Sequence, residues 1–284
     1  MIKKSLLCFI VLVILHDLIV RINPTMGMAT HQWQDNLIKA QSFLYADHVD
    51  SAMVGTSLSA RIIRDSIPSI KSVSFGGCAV EDGLRIISSK DQLPQYIFVE
   101  TNLLFTEGNK ELVNKLTEGI IPRIKHWIPS LREQYEPICL LASLALKSGN
   151  VNPQAGAADV DMNILNESIR QLHHEDSIYH YEVSEERVKT VKGLIDSLEE
   201  KGVKVVFFEM PVNENISHLS KFEQTRKKVS EVFPKDKYCY LPSDTTHYLT
   251  TDGEHLSFEE QQRYSHFFKD LVSRKTRGTT QRKP

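Results

Sequence analysis

Residues 51–59 read Ser51-Ala52-Met53-Val54-Gly55-Thr56-Ser57-Leu58-Ser59, and the fold follows from them. The first five form a short apolar run that ends on glycine, and Leu58 to Ser66 is compatible with helix. An apolar run of strand length, stopped by glycine and followed at once by helix, opens a βα unit. The pattern recurs downstream. Lys71–Phe75 predicts a second strand, stopped by Gly76-Gly77, and Ala79–Ser88 predicts the helix after it. Gln95–Glu100 predicts a third strand and Val203–Phe208 a fourth. The fourth follows a helix over Ser184–Lys201, with acids in its first turn and Gly202 as its stop. Tyr238–Leu241 predicts a short fifth strand, and Ser257–Ser273 a closing helix capped by Ser257. These strands are apolar along their length instead of alternating with polar residues, as in a parallel sheet covered on both faces. The expected class is α/β: a three-layer α/β/α sandwich around a parallel five-stranded sheet.

Toward the N-terminus, Lys3 and Lys4 precede a nearly unbroken apolar run, Leu6 to Leu15, which continues through Leu18-Ile19-Val20 to Ile22. Ser5 to Ile22 is 18 residues, inside the range of roughly 17–25 needed to span a bilayer. Lysines before such a run mark a signal peptide or an uncleaved signal anchor. No small-x-small cleavage site follows, which favours the anchor. The positive-inside rule then puts everything after Ile22 on the extracytoplasmic side, periplasmic or cell-surface. Residues 1–24 are the expected anchor and 25–50 a stalk, with the folded domain over 51–273 and a basic tail over 274–284. The chain is 41% hydrophobic with a net charge of −2, so it can bury a core and has no global field to draw nucleic acid. Of the four cysteines, Cys8 lies in the anchor, and the spacing of Cys78, Cys139 and Cys239 matches no metal motif.

One region interrupts the alternation. About residues 103–183 carry no clear strand. Lys110–Gly119 and Ile121–Ser148 have apolar residues at helical spacing, broken by Pro122, Pro129 and Pro137, and Ser148 to Ala158 reads as a loop. A helical insertion of this length in a compact domain suggests a lid or substrate wall.

The chemistry gathers at the strand ends. Ser57 stands where β passes to α, at the carboxyl edge of the sheet where ligands bind. Its backbone N–H opens a helix and can face a developing oxyanion. A nucleophilic serine needs a base, and the base needs a carboxylate to fix its tautomer. Asp252 and His255, three apart just before the last helix, can meet that need within one turn. Gly76 or Gly77 after the second strand allows close backbone approach, and Asn102 after the third offers an amide donor. Ser57, one of these two glycines and Asn102 are thus candidate oxyanion donors. Asp244 and His247 form a second D-x-x-H, without a helix directly after it. His173-His174-Glu175-Asp176 with His180 lacks defined ligand spacing and reads as a solvated polar loop. Neither a metal nor an organic cofactor is expected.

Taken in order, these blocks resemble the SGNH/GDSL hydrolase superfamily. Gly55-Thr56-Ser57-Leu58-Ser59 is similar to its first block, G-D-S-L-S. Gly77 is similar to the second-block glycine, Glu100-Thr101-Asn102 to the third-block G-x-N, and Asp252-Gly253-Glu254-His255-Leu256 to the last-block D-x-x-H-L. Thr56 stands where the family has aspartate, and Glu100 where it has glycine. The resemblance spans 51 to about 272 and implies a flavodoxin-like SGNH fold with a Ser57, His255, Asp252 triad. It also implies cleavage or transfer of acyl esters on lipids, polysaccharides or peptidoglycan. Anchored versions with a helical insertion resemble O-acetylation proteins of bacterial exopolysaccharide and capsule systems. The expected partners are therefore an acyl-ester or glycan substrate, the membrane, and envelope polysaccharide machinery. The alternative is a non-catalytic envelope scaffolding protein on the same fold.

Overall fold

Five parallel strands stand where the apolar runs do in a computed structural model, which describes residues 2–22, 27–63, 67, 69–148 and 160–280. They are β1 (Ser51–Gly55), β2 (Ile70–Ser74), β3 (Tyr96–Glu100), β4 (Lys204–Phe208) and β5 (Cys239–Tyr240). The sheet order is β2-β1-β3-β4-β5. Chain direction across the sheet reverses between β1 and β3, the switch point beside which doubly wound folds bind ligands. Gly55 is level with Ser74 of β2, and Glu100 with Phe208 of β4. The four longer strands therefore end along one edge.

Alternate residues of each strand feed two cores. Ala52, Val54, Ile97, Val99, Val205 and Phe207 pack beneath α2 (Gln32–Leu44), α4 (Val80–Ser88), α5 (Lys110–Thr117), α9 (Glu185–Glu200) and α10 (Ser220–Val232). Met53, Tyr96, Phe98, Val206 and Phe208 face α3 (Ser57–Ala60) and α11 (Phe258–Thr280). Phe98, Phe207, Phe233 and Phe268 are fully buried, each contributing about 1.5–3 kcal/mol relative to exposure. The result is the three-layer α/β/α sandwich that the uniformly apolar strands require.

Four expectations are corrected. The stalk assigned to 25–50 is largely a domain element. In α2, Leu37, Ala40 and Phe43 are buried in the core, and its buried polar side chains have partners. Gln34 bonds Glu136 at 2.8 Å, Asn36 bonds the Gly76 carbonyl at 2.9 Å, and Lys39 pairs with Asp35 at 2.6 Å. The His173–Asp176 segment is not a loop but part of α8 (Met162–Ile178), capped by Asp161. The last helix runs seven residues past Ser273 to Thr280, so most of the expected tail is helical. The helix expected over 58–66 is the single turn α3, with Ile62 packed in the core. Residues 64–66 of that expectation, 149–158 of the loop, 23–24 of the anchor, 25–26 of the stalk and 281–284 of the tail lie outside the described residues.

The insertion divides in two. α5, α6 (Ile120–Trp127), two 3-10 turns at Pro129–Leu131 and Glu133–Tyr135, and α7 (Pro137–Ser148) lie on the α2 side of the molecule. α8 reaches the opposite region: an atom added to Gly253 would touch its Ile169 and Leu172. α8 is therefore the part of the insertion that borders the Asp252–His255 turn. At the N-terminus, α1 (Ile2–Ile22) is long and apolar enough to cross a membrane, a property shared by anchors and signal sequences.

Candidate active site

The serine turn is built over a buried carboxylate. Thr56 leaves β1 extended and caps α3, its hydroxyl accepting from the Leu58 N–H at 3.3 Å. Glu100, at the end of β3 and fully buried, lies beneath. Its Oε2 accepts from the Thr56 and Ser59 N–H groups, each at 3.0 Å, and its Oε1 from the Thr56 hydroxyl at 2.7 Å. Three donors flanking Ser57 thus converge on one side chain from the neighbouring strand. Gly55 makes the approach feasible, because a Cβ there would overlap Glu100 and Ser59. Burial pushes the Glu100 carboxyl above its ordinary value, and the hydrogen bonds from Ser59 and Thr56 only partly offset this. The two departures from the resembling pattern are therefore partners: Thr56 donates to the carboxylate that Glu100 supplies. Ser57 itself is half-buried, with its N–H in the first turn of α3, where no helical carbonyl reaches it.

The histidine turn is built mainly within itself, with a backbone tie from outside, the Asn213 N–H to the Gly253 carbonyl at 2.8 Å. A bridge between Thr250 and Leu256 and a Thr251 N–H bond to the His255 carbonyl at 2.8 Å close its base. Gly253 crosses it with φ +94°, a conformation that favours glycine. Asp252 Oδ1 accepts from the backbone N–H groups of His255 at 2.8 Å and Glu254 at 3.1 Å. Its Oδ2 lies 2.7 Å from His255 Nδ1. Burial raises the Asp252 pKa, but the side-chain and backbone hydrogen bonds of His255 outweigh it and hold the carboxyl down at about 2. A carboxylate fixed in its charged form at Nδ1 favours the tautomer with the proton on that nitrogen, leaving Nε2 as acceptor.

That Nε2 lies 2.8 Å from Ser57 Oγ, across 198 residues of sequence. Ser57, His255 and Asp252 form a continuous hydrogen-bonded line, with the His255 side chain 16% exposed. This is the geometry in which a base relieves a hydroxyl of its proton as the oxygen attacks.

The remaining residues are placed less uniformly. Gly77 sits in the turn after β2 with φ +68°. The preceding peptide is braced on both sides by Asn36, which accepts from the Gly76 N–H at 3.1 Å and donates to its carbonyl at 2.9 Å. Asn102 is buried and closes a ring with Met210, accepting from its N–H at 2.7 Å and donating to its carbonyl at 2.8 Å. Expected as an oxyanion donor alone, Asn102 also fastens β3 to the loop after β4, and only its second amide hydrogen remains for a ligand. Asp244 and His247 do not pair. Asp244 bonds Thr246 and Tyr248, while the exposed His247 ring lies 3.3 Å from Glu214. His173 contacts the Asn215 carbonyl at 2.9 Å and Asp176 holds the Ser220 N–H at 3.0 Å. All four cysteines are free.

Sequence reasoning missed Glu100, Asn36 and Met210 as parts of this site. The first carried a signal, an acid ending an otherwise apolar strand. The chain matches no protein-family model, no curated protein and no solved structure.

Proposed function

We propose that this chain is a membrane-anchored, extracytoplasmic serine enzyme of the SGNH/GDSL type. It hydrolyses or transfers O-acyl groups on a cell-surface or exported polysaccharide. The observation that carries the reading is the 2.8 Å contact between His255 Nε2 and Ser57 Oγ, made by two turns that nothing local forces together.

Ser57 Oγ attacks the ester carbonyl carbon while His255 Nε2 takes its proton. Negative charge collects on the former carbonyl oxygen, where the N–H groups of Ser57 and Gly77 and the free amide hydrogen of Asn102 serve it. Each such donor contributes about 2.7–4 kcal/mol to barrier lowering. Asp252 stabilises the imidazolium meanwhile. Collapse breaks the bond to the leaving oxygen, which receives the proton from His255, and leaves the acyl group on Ser57. Water then completes an esterase cycle, and a sugar hydroxyl a transferase cycle. Lys3 and Lys4, in the first turn of α1 and ahead of its apolar run, support the extracytoplasmic placement, and the resemblance to polysaccharide O-acetylation proteins supports the substrate class.

One observation favours the second reading, a non-catalytic envelope scaffolding protein: Asn102 is already engaged with Met210. A fluorophosphonate probe separates the two. Labelling of Ser57 in the full chain, lost in Ser57→Ala, supports the enzyme. A folded protein that resists the probe at Ser57 overturns it.

A further inference from the structure

The end of α1 is clamped to the insertion. His16 Nε2 lies 3.2 Å from the Tyr135 carbonyl, Asp17 accepts from the Ser130 N–H at 3.1 Å, and Arg21 donates to the Trp127 carbonyl at 2.7 Å. Beyond α1, Gly27 N–H donates to the Gln134 carbonyl and Met28 N–H to that of Cys139, both at 3.1 Å. A Cβ on Gly27 would overlap Gln134 and Cys139, so the backbone at Gly27 lies in direct contact with the start of α7.

That module leaves large apolar side chains bare. On α7, Ile138, Leu141 and Leu144 are 54%, 61% and 60% exposed, and Trp127 at the end of α6 is 75% exposed. Spacings of three place the α7 trio within about a third of the helix circumference. The core-facing side of α7 is satisfied separately, through the buried Cys139. Such a bare face marks an interaction surface.

We propose that this face, Ile138, Leu141 and Leu144 with Trp127, beds into the outer surface of the lipid bilayer that α1 enters. The inference rests on the anchor reading of α1. If α1 spans, the clamp at His16, Asp17 and Arg21 fixes the depth of the module, because these residues lie within about 9 Å of the helix end at 1.5 Å per residue. Interfacial helices bury their apolar faces about 5–10 Å into the headgroup and acyl boundary, the same depth. Trp127 is suited to that level, where an amphipathic ring has one side apolar and one side wet. α6 adds the exposed Arg123 and no acid, suited to anionic headgroups, while its Lys125 is paired with Glu133. The consequence is a fixed posture. The Gln34 bond to Glu136 and the Asn36 brace on Gly76 both come from α2, so one helix joins the lipid-facing module to the edge of the sheet that carries Ser57.

Tryptophan quenching in the full chain, reconstituted in phosphatidylcholine and phosphatidylglycerol vesicles, tests this. Reporters are introduced singly as Leu12→Trp in α1, Leu141→Trp in α7 and Tyr179→Trp on an exposed remote position, with Trp33→Phe and Trp127→Phe as background. The lipids are brominated near the headgroup or near the chain end. Leu12→Trp should be quenched most by deep bromines, and Leu141→Trp by shallow ones, with acrylamide access several-fold below that of Tyr179→Trp. If Leu12→Trp is quenched by bromolipid while Leu141→Trp behaves like Tyr179→Trp, the anchor stands and the bedded face is wrong. Loss of quenching at Leu12→Trp removes the anchor and this proposal with it. Shielding of Leu141→Trp from both acrylamide and bromine means that protein covers the face, which overturns lipid as its occupant.

Discussion

The serine turn and the histidine turn meet at one hydrogen bond but are stabilised in opposite ways. The His255 turn is built mainly from within: Asp252 bonds the backbone two and three residues on and the ring of His255, and the Thr250–Leu256 bridge shuts it, with the Asn213 N–H donating to the Gly253 carbonyl as a tie from outside. The Ser57 turn is braced from outside, by a carboxylate 44 residues away in sequence that arrives on an adjacent strand. A locally built turn keeps its geometry through small changes elsewhere. A remotely braced one depends on strand register, on a missing Cβ at Gly55 and on the ionisation of Glu100. The two halves should therefore fail differently.

The largest effect is expected at the joint itself. Ser57→Ala and His255→Ala should each lower kcat by about 10⁶, and the double variant should lose little more, because the residues act as a unit. Additive losses in esterase kinetics would mean that the two turns work separately. Next is Asp252→Asn, which keeps the shape of its turn but removes the charge at Nδ1. A fall of about 10⁴ in kcat with little change in melting temperature is expected.

Asn102→Ala should act on both rate and stability. Loss of a donor lowers kcat by about 10²–10³, and the abandoned Met210 N–H and carbonyl cost about 1–3 kcal/mol each in stability. Asn102→Asp keeps the acceptor for the Met210 N–H but loses every amide hydrogen, including the one given to the Met210 carbonyl, so its stability should fall along with its rate. A normal rate in that variant would make Asn102 purely structural.

The smallest and most specific effect belongs to Glu100. Its proton is held more tightly in the folded chain than at the ordinary value of 4.5. Its contribution to stability is therefore fully present below that value and lost as pH rises through the raised folded value. Glu100→Gln keeps an acceptor for the Thr56 and Ser59 N–H groups and removes the titration. Melting temperatures should show the variant gaining on the parent chain as pH rises above 4.5; a difference independent of pH would deny the buried carboxyl this role. Asp252, held down at about 2, runs the other way, adding stability above its ordinary value of 3.8 that is lost as pH falls toward 2.

The same contrast governs what the sequence reveals. Period and punctuation are local, so the five apolar runs, the first two stopped by glycine, predicted strands whose ends fall within one residue of the observed ones. The D-x-x-H turn was equally legible, because the bonds between Asp252 and His255 close within one turn. Glu100 looked only like a departure, since its three donors come from the turn that follows another strand. α2 read as a stalk because Gln34, Asn36, Lys39 and Gln41 are polar, although all four are buried and bonded to groups that folding brings to them. α10 escaped notice because its buried side, Phe222 and Val229 among them, is narrow within a strongly charged segment.

The acyl-enzyme is the direct test of the joint between the two turns. The full-length protein is incubated with p-nitrophenyl acetate, quenched in acid, digested and read by tandem mass spectrometry. An acetyl group on Ser57, absent from Ser57→Ala and nearly absent from His255→Ala, is the expected result. A folded protein that releases no nitrophenol and carries no acetyl on Ser57 would show that the 2.8 Å contact holds two turns together without activating the serine.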